Sequence, residues 1–233
     1  MKKIKSSHFT YPRIPIRLEG TPPKKNEELP RRLGGRALFA LEFSRMLHGV
    51  LSSRPKLSVL ELSAGSGMLS RLMVDMARSQ KRAIRVTAIE FSKGAVDAAC
   101  NLSRDYPEID FALNSVSGLN ELHSGGFDLT VCSFALHLFS VEKAIRLLQT
   151  IDRTARGGWI VTDFRRSRWL TMLAEALSSS FLKNSGDLRQ AVSLMQQAFT
   201  GREMKNLAFH AGISDYEWNG WFLLHQTLVR IKQ

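Results

Sequence analysis

Between Arg36 and Ser52 the apolar residues Phe39, Phe43, Met46, Leu47 and Val50 fall at helical spacing, which predicts an amphipathic helix. A short apolar run from Ser58 to Leu62 then predicts a strand. It stops at a loop of small residues, Ser63-Ala64-Gly65-Ser66-Gly67, after which Leu69, Leu72, Met73 and Met76 resume the helical period. Ile84–Ile89 predicts a second strand, ending at Glu90, and Ser92 is placed to cap a helix with Val96, Ala99 and Leu102 on one face. Ile109–Leu113 and Phe127–Ser133 predict the third and fourth strands. A helix over Val141–Arg153 turns Ile145 and Leu148 inward, Gly157-Gly158 breaks it, and Trp159–Asp163 forms the fifth strand. Thr200-Gly-Arg-Glu203 has the spacing of a capping box and opens a helix that Gly212 can end. Tyr216–Trp218 and Phe222–Ile231 predict an antiparallel pair turning at Asn219-Gly220.

Strands alternating with helices across short connections imply crossover units and a mostly parallel sheet. The strands read as continuous apolar runs, as expected when helices cover both faces. Two stretches leave this rhythm. Residues 1–33 hold five of the seven prolines and little apolar periodicity, so they predict an extended arm ahead of a single domain over 34–233. From Arg168 to Ala198, one or two extra helices follow the fifth strand, an insertion spanning about 165–199.

Composition adds boundaries rather than a function. A hydrophobic share of 44% is enough to bury a core, and no apolar run reaches the ~18–20 residues of a membrane-spanning helix. The start of the chain is basic but lacks the apolar stretch of a secretory signal. Cys100 and Cys132 supply neither a disulfide framework nor a metal cluster, which points to a reducing, cytoplasmic setting without a bound metal. The net charge of +12 is concentrated: nine Lys or Arg against three Glu before residue 34, and a second cluster at Arg165, Arg166 and Arg168. Such charge attracts nucleic acid, anionic lipid or a phosphorylated or carboxylated small molecule, and it equally describes a solvated tail. The oligomeric state is not written in these patterns.

The segment that carries chemistry is Val59-Leu60-Glu61-Leu62-Ser63-Ala64-Gly65-Ser66-Gly67. A strand runs through bare backbone into a helix whose unpaired N–H groups favour a ligand. Twenty-three residues after Gly67, Glu90 ends the next strand, where a carboxylate can accept hydrogen bonds from vicinal ribose hydroxyls. A nicotinamide-binding loop would need a third glycine where Ser70 stands, and no Gly-Lys-Ser/Thr of a Walker loop follows.

On these residues the chain resembles the class I methyltransferases, whose first motif is acid-x-Gly-x-Gly-x-Gly. The resemblance extends over about Arg36–Ile231. Phe127-Asp-Leu-Thr-Val-Cys-Ser-Phe-Ala-Leu-His137 looks like the fourth-strand segment of small-molecule methyltransferases, those of quinone biosynthesis included, and Arg156-Gly-Gly-Trp-Ile-Val-Thr-Asp163 looks like the strand that follows. The resemblance implies a three-layer α/β/α Rossmann-like domain with a seven-stranded, mostly parallel sheet and one antiparallel strand. It also implies S-adenosylmethionine as cofactor, with Glu61, Ser63, Ala64, Gly65, Gly67, Glu90, Phe91, Asn114, Ser115 and Ser133 around it.

Two residues depart from the family pattern. Ser63 replaces the first glycine, which suits a backbone with negative φ or room for a small Cβ. Asn114 replaces the acid near the adenine, and its amide oxygen can still accept a hydrogen bond there. His137 is the candidate base and Arg165 and Arg166 the candidate contacts to an anionic group on the methyl acceptor, a small, partly apolar molecule. The fourth strand ends in Cys-Ser-Phe-Ala rather than an Asn/Asp-Pro-Pro-aromatic clamp, which disfavours methylation of nucleic-acid bases. An RNA methyltransferase using the basic arm and a non-catalytic binding protein remain as alternatives.

Overall fold

The computed structural model describes residues 35–115, 118–167, 172, 196–221 and 224–232. The basic arm, Arg168 and most of the expected helical insertion lie outside the described residues. In chain order the elements are α1 (Gly35–His48), β1 (Lys56–Leu62), α2 (Met68–Ser79), β2 (Ala83–Glu90), α3 (Lys93–Leu102), β3 (Ile109–Leu113), β4 (Leu129–Ser133), α4 (Val141–Thr154), β5 (Gly158–Phe164), α5 (Gly201–His210), β6 (Glu217–Trp221) and β7 (His225–Ile231). Single 3₁₀ turns span Gly118–Glu121 and Leu136–Leu138.

The seven strands form one sheet in the order β3-β2-β1-β4-β5-β7-β6. Strands β1 to β5 are parallel, and β7 runs antiparallel to both β5 and β6. The order reverses direction between β1 and β4, so the loops after these strands diverge and leave a crevice at their C-terminal ends.

Burial follows from this layering. One apolar layer gathers Phe39, Phe43 and Met46 of α1 and Met73 and Val74 of α2 against Val59, Val86 and Ile160. The other gathers Leu147, Leu148 and Ile151 of α4 and Met204 and Leu207 of α5 against Leu60, Leu62, Val161 and Leu228. All of β4 and β5 is buried. At the N-terminal end of the sheet Asp128 accepts from the Ser58 N–H and hydroxyl, both at 2.9 Å, and from Arg156 at 2.8 Å. Burial pushes the Asp128 carboxyl up, but the hydrogen bonds from Arg156 and Ser58 outweigh it and hold the group below the usual carboxylate range. Among the described residues, no helix is long and apolar enough to cross a membrane, and no cluster of His, Cys, Asp and Glu could hold a metal ion.

Two expectations are corrected. Asn219 and Gly220 do not form the final turn; they lie inside β6, paired with Thr227 and Gln226, because the sheet extends the pairing to Trp221↔His225. Leu102, expected to share an apolar face with Val96 and Ala99, is 59% exposed, since α3 buries only Ala99. Ser92 occupies the N-cap of α3 as expected, with no capping bond from its hydroxyl, and its own N–H donates to Glu90. The capping box at Thr200 and Glu203 is present as expected.

Candidate active site

The loop after β1 is shaped by three residues in the left-handed region: Ser63 at φ 60°, Gly65 at 56° and Gly67 at 76°. Ser63 therefore does not satisfy the negative-φ condition. It takes the backbone geometry of the glycine it replaces, at a cost of about 1–2 kcal/mol. Gly67 has a second reason to be glycine, because a Cβ there would lie 2.5 Å from the ring of Phe111. Ala64 is tied to the neighbouring strand by its N–H to the Ile89 carbonyl at 3.1 Å. Beneath the loop, buried Glu61 accepts a hydrogen bond from the Ser70 hydroxyl, which fixes the first turn of α2 to the end of β1.

Glu90 stands at the tip of β2, 4% exposed. One carboxylate oxygen accepts the Gly65 N–H at 2.7 Å, and the other accepts the N–H groups of Phe91 and Ser92 at 2.8 and 3.1 Å. The acid and the small-residue loop, 25 residues apart in sequence, are thus one unit. On the far side, the Asn114 N–H donates to the Glu90 carbonyl at 3.0 Å. The Asn114 amide oxygen, expected to accept a hydrogen bond near the adenine, is already engaged with the chain. It accepts the Ser115 N–H at 2.7 Å, and the buried Ser115 hydroxyl accepts the Gly118 N–H at 3.0 Å. A second lone pair on that amide oxygen stays available. Gly118 lets this turn close, since a Cβ would fall 2.1 Å from Asn114 Oδ1.

Across the switch point, β4 ends at Ser133, whose hydroxyl is buried without a hydrogen-bond partner among the described residues. Phe134 follows with φ 56°, a conformation bulky residues rarely hold, and its N–H donates to Thr162 at 2.7 Å. This reversal brings His137 onto Asp163 at the end of β5. The His137 N–H reaches one carboxylate oxygen at 2.9 Å and its ring Nδ1 the other at 2.5 Å. Both side chains are buried, 2% and 0% exposed. Phe134, Phe164 and His225 pack around the dyad, with the Phe164 ring centre 5.3 Å from that of His137. Burial pushes the pKa of His225 down, against the pull of Asp163, so it stays neutral.

Sequence reasoning placed His137 here but missed Asp163, Phe134, Phe164 and His225. A signal for Asp163 existed: like Glu90, it is an acid ending an apolar strand. The buried Cys132 thiol reports the field at these strand ends. Burial pushes it well up, and the negative charges of Asp163, Glu61 and Glu90 push it further. Three carboxylates therefore share one zone at the C-terminal edge of the sheet.

Arg165 and Arg166 leave β5 in the direction of α5 rather than the loop at Ser63. Arg166 pairs with Glu203 at 2.5 Å, and Arg165 lies against the Trp218 ring, 6.0 Å from its centre.

Residues 59–158 match the family model of a methyltransferase domain. No curated protein matches the chain by sequence. Among solved structures, the chain is similar to a SAM-dependent methyltransferase from Aquifex aeolicus, with 13% identity, a TM-score of 0.58, and coverage of 87% of this chain and 96% of that one. It is also similar to magnesium protoporphyrin IX methyltransferase from Synechocystis PCC 6803 with bound SAH, at 15% identity, TM-score 0.61, and 92% and 90% coverage. A putative S-adenosyl-L-methionine-dependent methyltransferase from Methanococcus maripaludis gives 15% identity, TM-score 0.60, and 93% and 98% coverage. At these identities the likeness is one of fold, and the fold is that of the class I methyltransferases.

Proposed function

We propose that this chain, which carries a methyltransferase domain over residues 59–158, transfers a methyl group from S-adenosylmethionine to an oxygen, carbon or nitrogen of a small, partly apolar acceptor. The observation that carries this reading is the Glu90 carboxylate, buried at a strand tip and bonded to the Gly65 N–H of a loop with almost no side chains. A carboxylate at a strand tip beside such a loop is the group that accepts hydrogen bonds from vicinal ribose hydroxyls in nucleoside-cofactor sites. The Ser133 hydroxyl, buried with no partner among the described residues, supports the same fit, since an unmet buried polar atom costs about 1–3 kcal/mol unless a ligand or water meets it. So do the three carboxylates around Cys132, whose field favours a cationic ligand.

When bound, S-adenosylmethionine supplies a methyl group on a positively charged sulfur, which keeps the bonding pair as the acceptor atom takes the methyl. The protein's part is to align and to handle the proton. Asp163 accepts the Nδ1 proton of His137, which leaves the lone pair of the imidazole on Nε2. From there His137 can receive the proton that the acceptor atom loses. Phe134, Phe164 and neutral His225 give the dyad an aromatic surround that suits an apolar acceptor and excludes water. The gain comes mainly from in-line alignment, with the base adding to it where the acceptor is not already ionised.

Calorimetric titration with S-adenosylhomocysteine tests the binding half. The expected result is saturable heat at micromolar ligand. Absence of heat and of any thermal shift at millimolar ligand would favour a binding protein that kept the fold and lost the cofactor.

A further inference from the structure

Beside the strand tips, the protein has a second concavity that methyl transfer as described leaves unused. It is a cleft of about 640 Å³ between the end of β5, the start of α5 and β6. Its walls include Arg165, Arg166, Arg202, Lys205, Asn206 and Trp218. Arg166 is neutralised by Glu203, but among the described residues Arg165, Arg202 and Lys205 have no carboxylate partner. Three uncompensated cations facing one hollow repel each other by Coulomb's law, and an anion between them removes that cost.

Arg165 and Lys205 lie against one aromatic ring, and Arg166 is anchored beside them. Arg166 is fixed by its N–H to the Phe199 carbonyl at 3.1 Å and by its side chain to the Gln196 carbonyl at 3.3 Å. The Arg165 N–H donates to the Leu224 carbonyl at 2.8 Å. Lys205 Nζ stands 4.3 Å from the centre of the Trp218 ring, with the Arg165 guanidinium also against it. The ring itself is pinned by a hydrogen bond from its N–H to Gln226 at 3.2 Å. Two glycines make room for it: a Cβ on Gly201 would come within 2.6 Å of the ring, and one on Gly220 within 3.0 Å. A cation on an aromatic face keeps its N–H groups for other acceptors.

The cleft also adjoins the dyad. Arg165 follows Asp163 by two residues, about 7 Å along an extended chain. Phe164 between them packs on His137.

We propose that this cleft is the recognition site for a compact oxyanion, a phosphate ester or a carboxylate, carried by the methyl acceptor. Arg165, Arg202 and Lys205 supply the charge and Asn206 a neutral donor. The acceptor is thereby an amphipathic anion, its apolar part lying on the Phe134–Phe164–His225 side and its charge in the cleft. This rests on the methyl-transfer reading for the word acceptor, but the anion site stands or falls separately.

The test is calorimetric titration of the protein, saturated with S-adenosylhomocysteine, with three probes of one shape: phenyl phosphate, benzoate and phenol. Phenyl phosphate or benzoate is expected to bind at least tenfold more tightly than phenol, and the stronger of the two identifies the oxyanion. The double substitution Arg202→Gln with Lys205→Gln, both exposed, should weaken that probe at least tenfold and leave S-adenosylhomocysteine affinity unchanged. Equal binding of all three probes, or an anion affinity unmoved by the double substitution, overturns the proposal. So does a single-stranded oligoribonucleotide that binds far more tightly than either anion and loses its salt dependence in the double variant, which assigns the cleft to RNA. Failure of S-adenosylhomocysteine to bind, with phenyl phosphate still bound through Arg202 and Lys205, overturns the methyl-transfer reading alone.

Discussion

The two ends of the strand row, the β1–β2 side and the β4–β5–β7 side, solve recognition by different means. On the first, the partners are main-chain groups: Glu90 meets the N–H of Gly65, Phe91 and Ser92, and the loop conformation rests on Ser63, Gly65 and Gly67. On the second, side chains meet side chains: His137 with Asp163, and Phe164 with His225. A backbone cradle fixes one ligand shape and tolerates little change in sequence. A convergence of side chains can be redrawn residue by residue for a new acceptor on the same sheet. On the proposed reading, cofactor binding and acceptor choice are carried by separable parts of this domain.

The sharpest attempt to break that separation is Asp163→Asn. It leaves the shape of the site but removes the charge that holds the His137 tautomer. Turnover should fall about 10²–10⁴-fold for an acceptor that must lose a proton. S-adenosylhomocysteine affinity, measured by calorimetry, should stay within twofold. Equal losses in both would mean the two sides are one site.

Glu90→Ala attacks the other side. Losing charge-assisted hydrogen bonds should weaken S-adenosylhomocysteine binding by about 1.5–3 kcal/mol. The structure adds a second expected loss, in thermal stability, because the Gly65, Phe91 and Ser92 N–H groups lose their acceptor. An unchanged affinity would show that Glu90 serves the loop alone.

Asp128, at the opposite end of the sheet, is the control for both. Its folded carboxyl lies below the ordinary range, so its contribution to stability is present above the unfolded value near 3.9 and is lost as pH falls through the lower folded value. Asp128→Asn should cost about 1–3 kcal/mol at neutral pH, flatten the acid limb of the stability profile, and leave ligand affinity alone. Chemical denaturation across pH 2–7 reads this out.

The smallest effect tests strain in the cradle. Ser63→Gly should stabilise the fold by about 0.5–1 kcal/mol, the relief of left-handed geometry less the entropy glycine adds to the unfolded chain. A thermal midpoint raised by roughly 1–4 °C, without loss of S-adenosylhomocysteine affinity, is the expected result. A fall would mean that the Ser63 side chain holds the loop in place.

Parts whose signal is local were legible in the chain of residues. The β1 loop of small residues, Glu90 ending an apolar run, the Thr200–Glu203 capping box and the order of strands and helices are all legible because periodicity and turn chemistry act over a few residues. Tertiary structure alone decided the rest. It put Asp163 under His137 across 26 residues, moved the last turn past Gly220 by extending a sheet pairing, and turned the Asn114 amide onto Ser115. It also gathered Arg165, Arg202, Lys205 and Trp218 from three elements around one cleft. The physical reason is range: backbone preference is set by neighbours in the chain, whereas a side chain's partner is set by which strands and helices the packed core brings together.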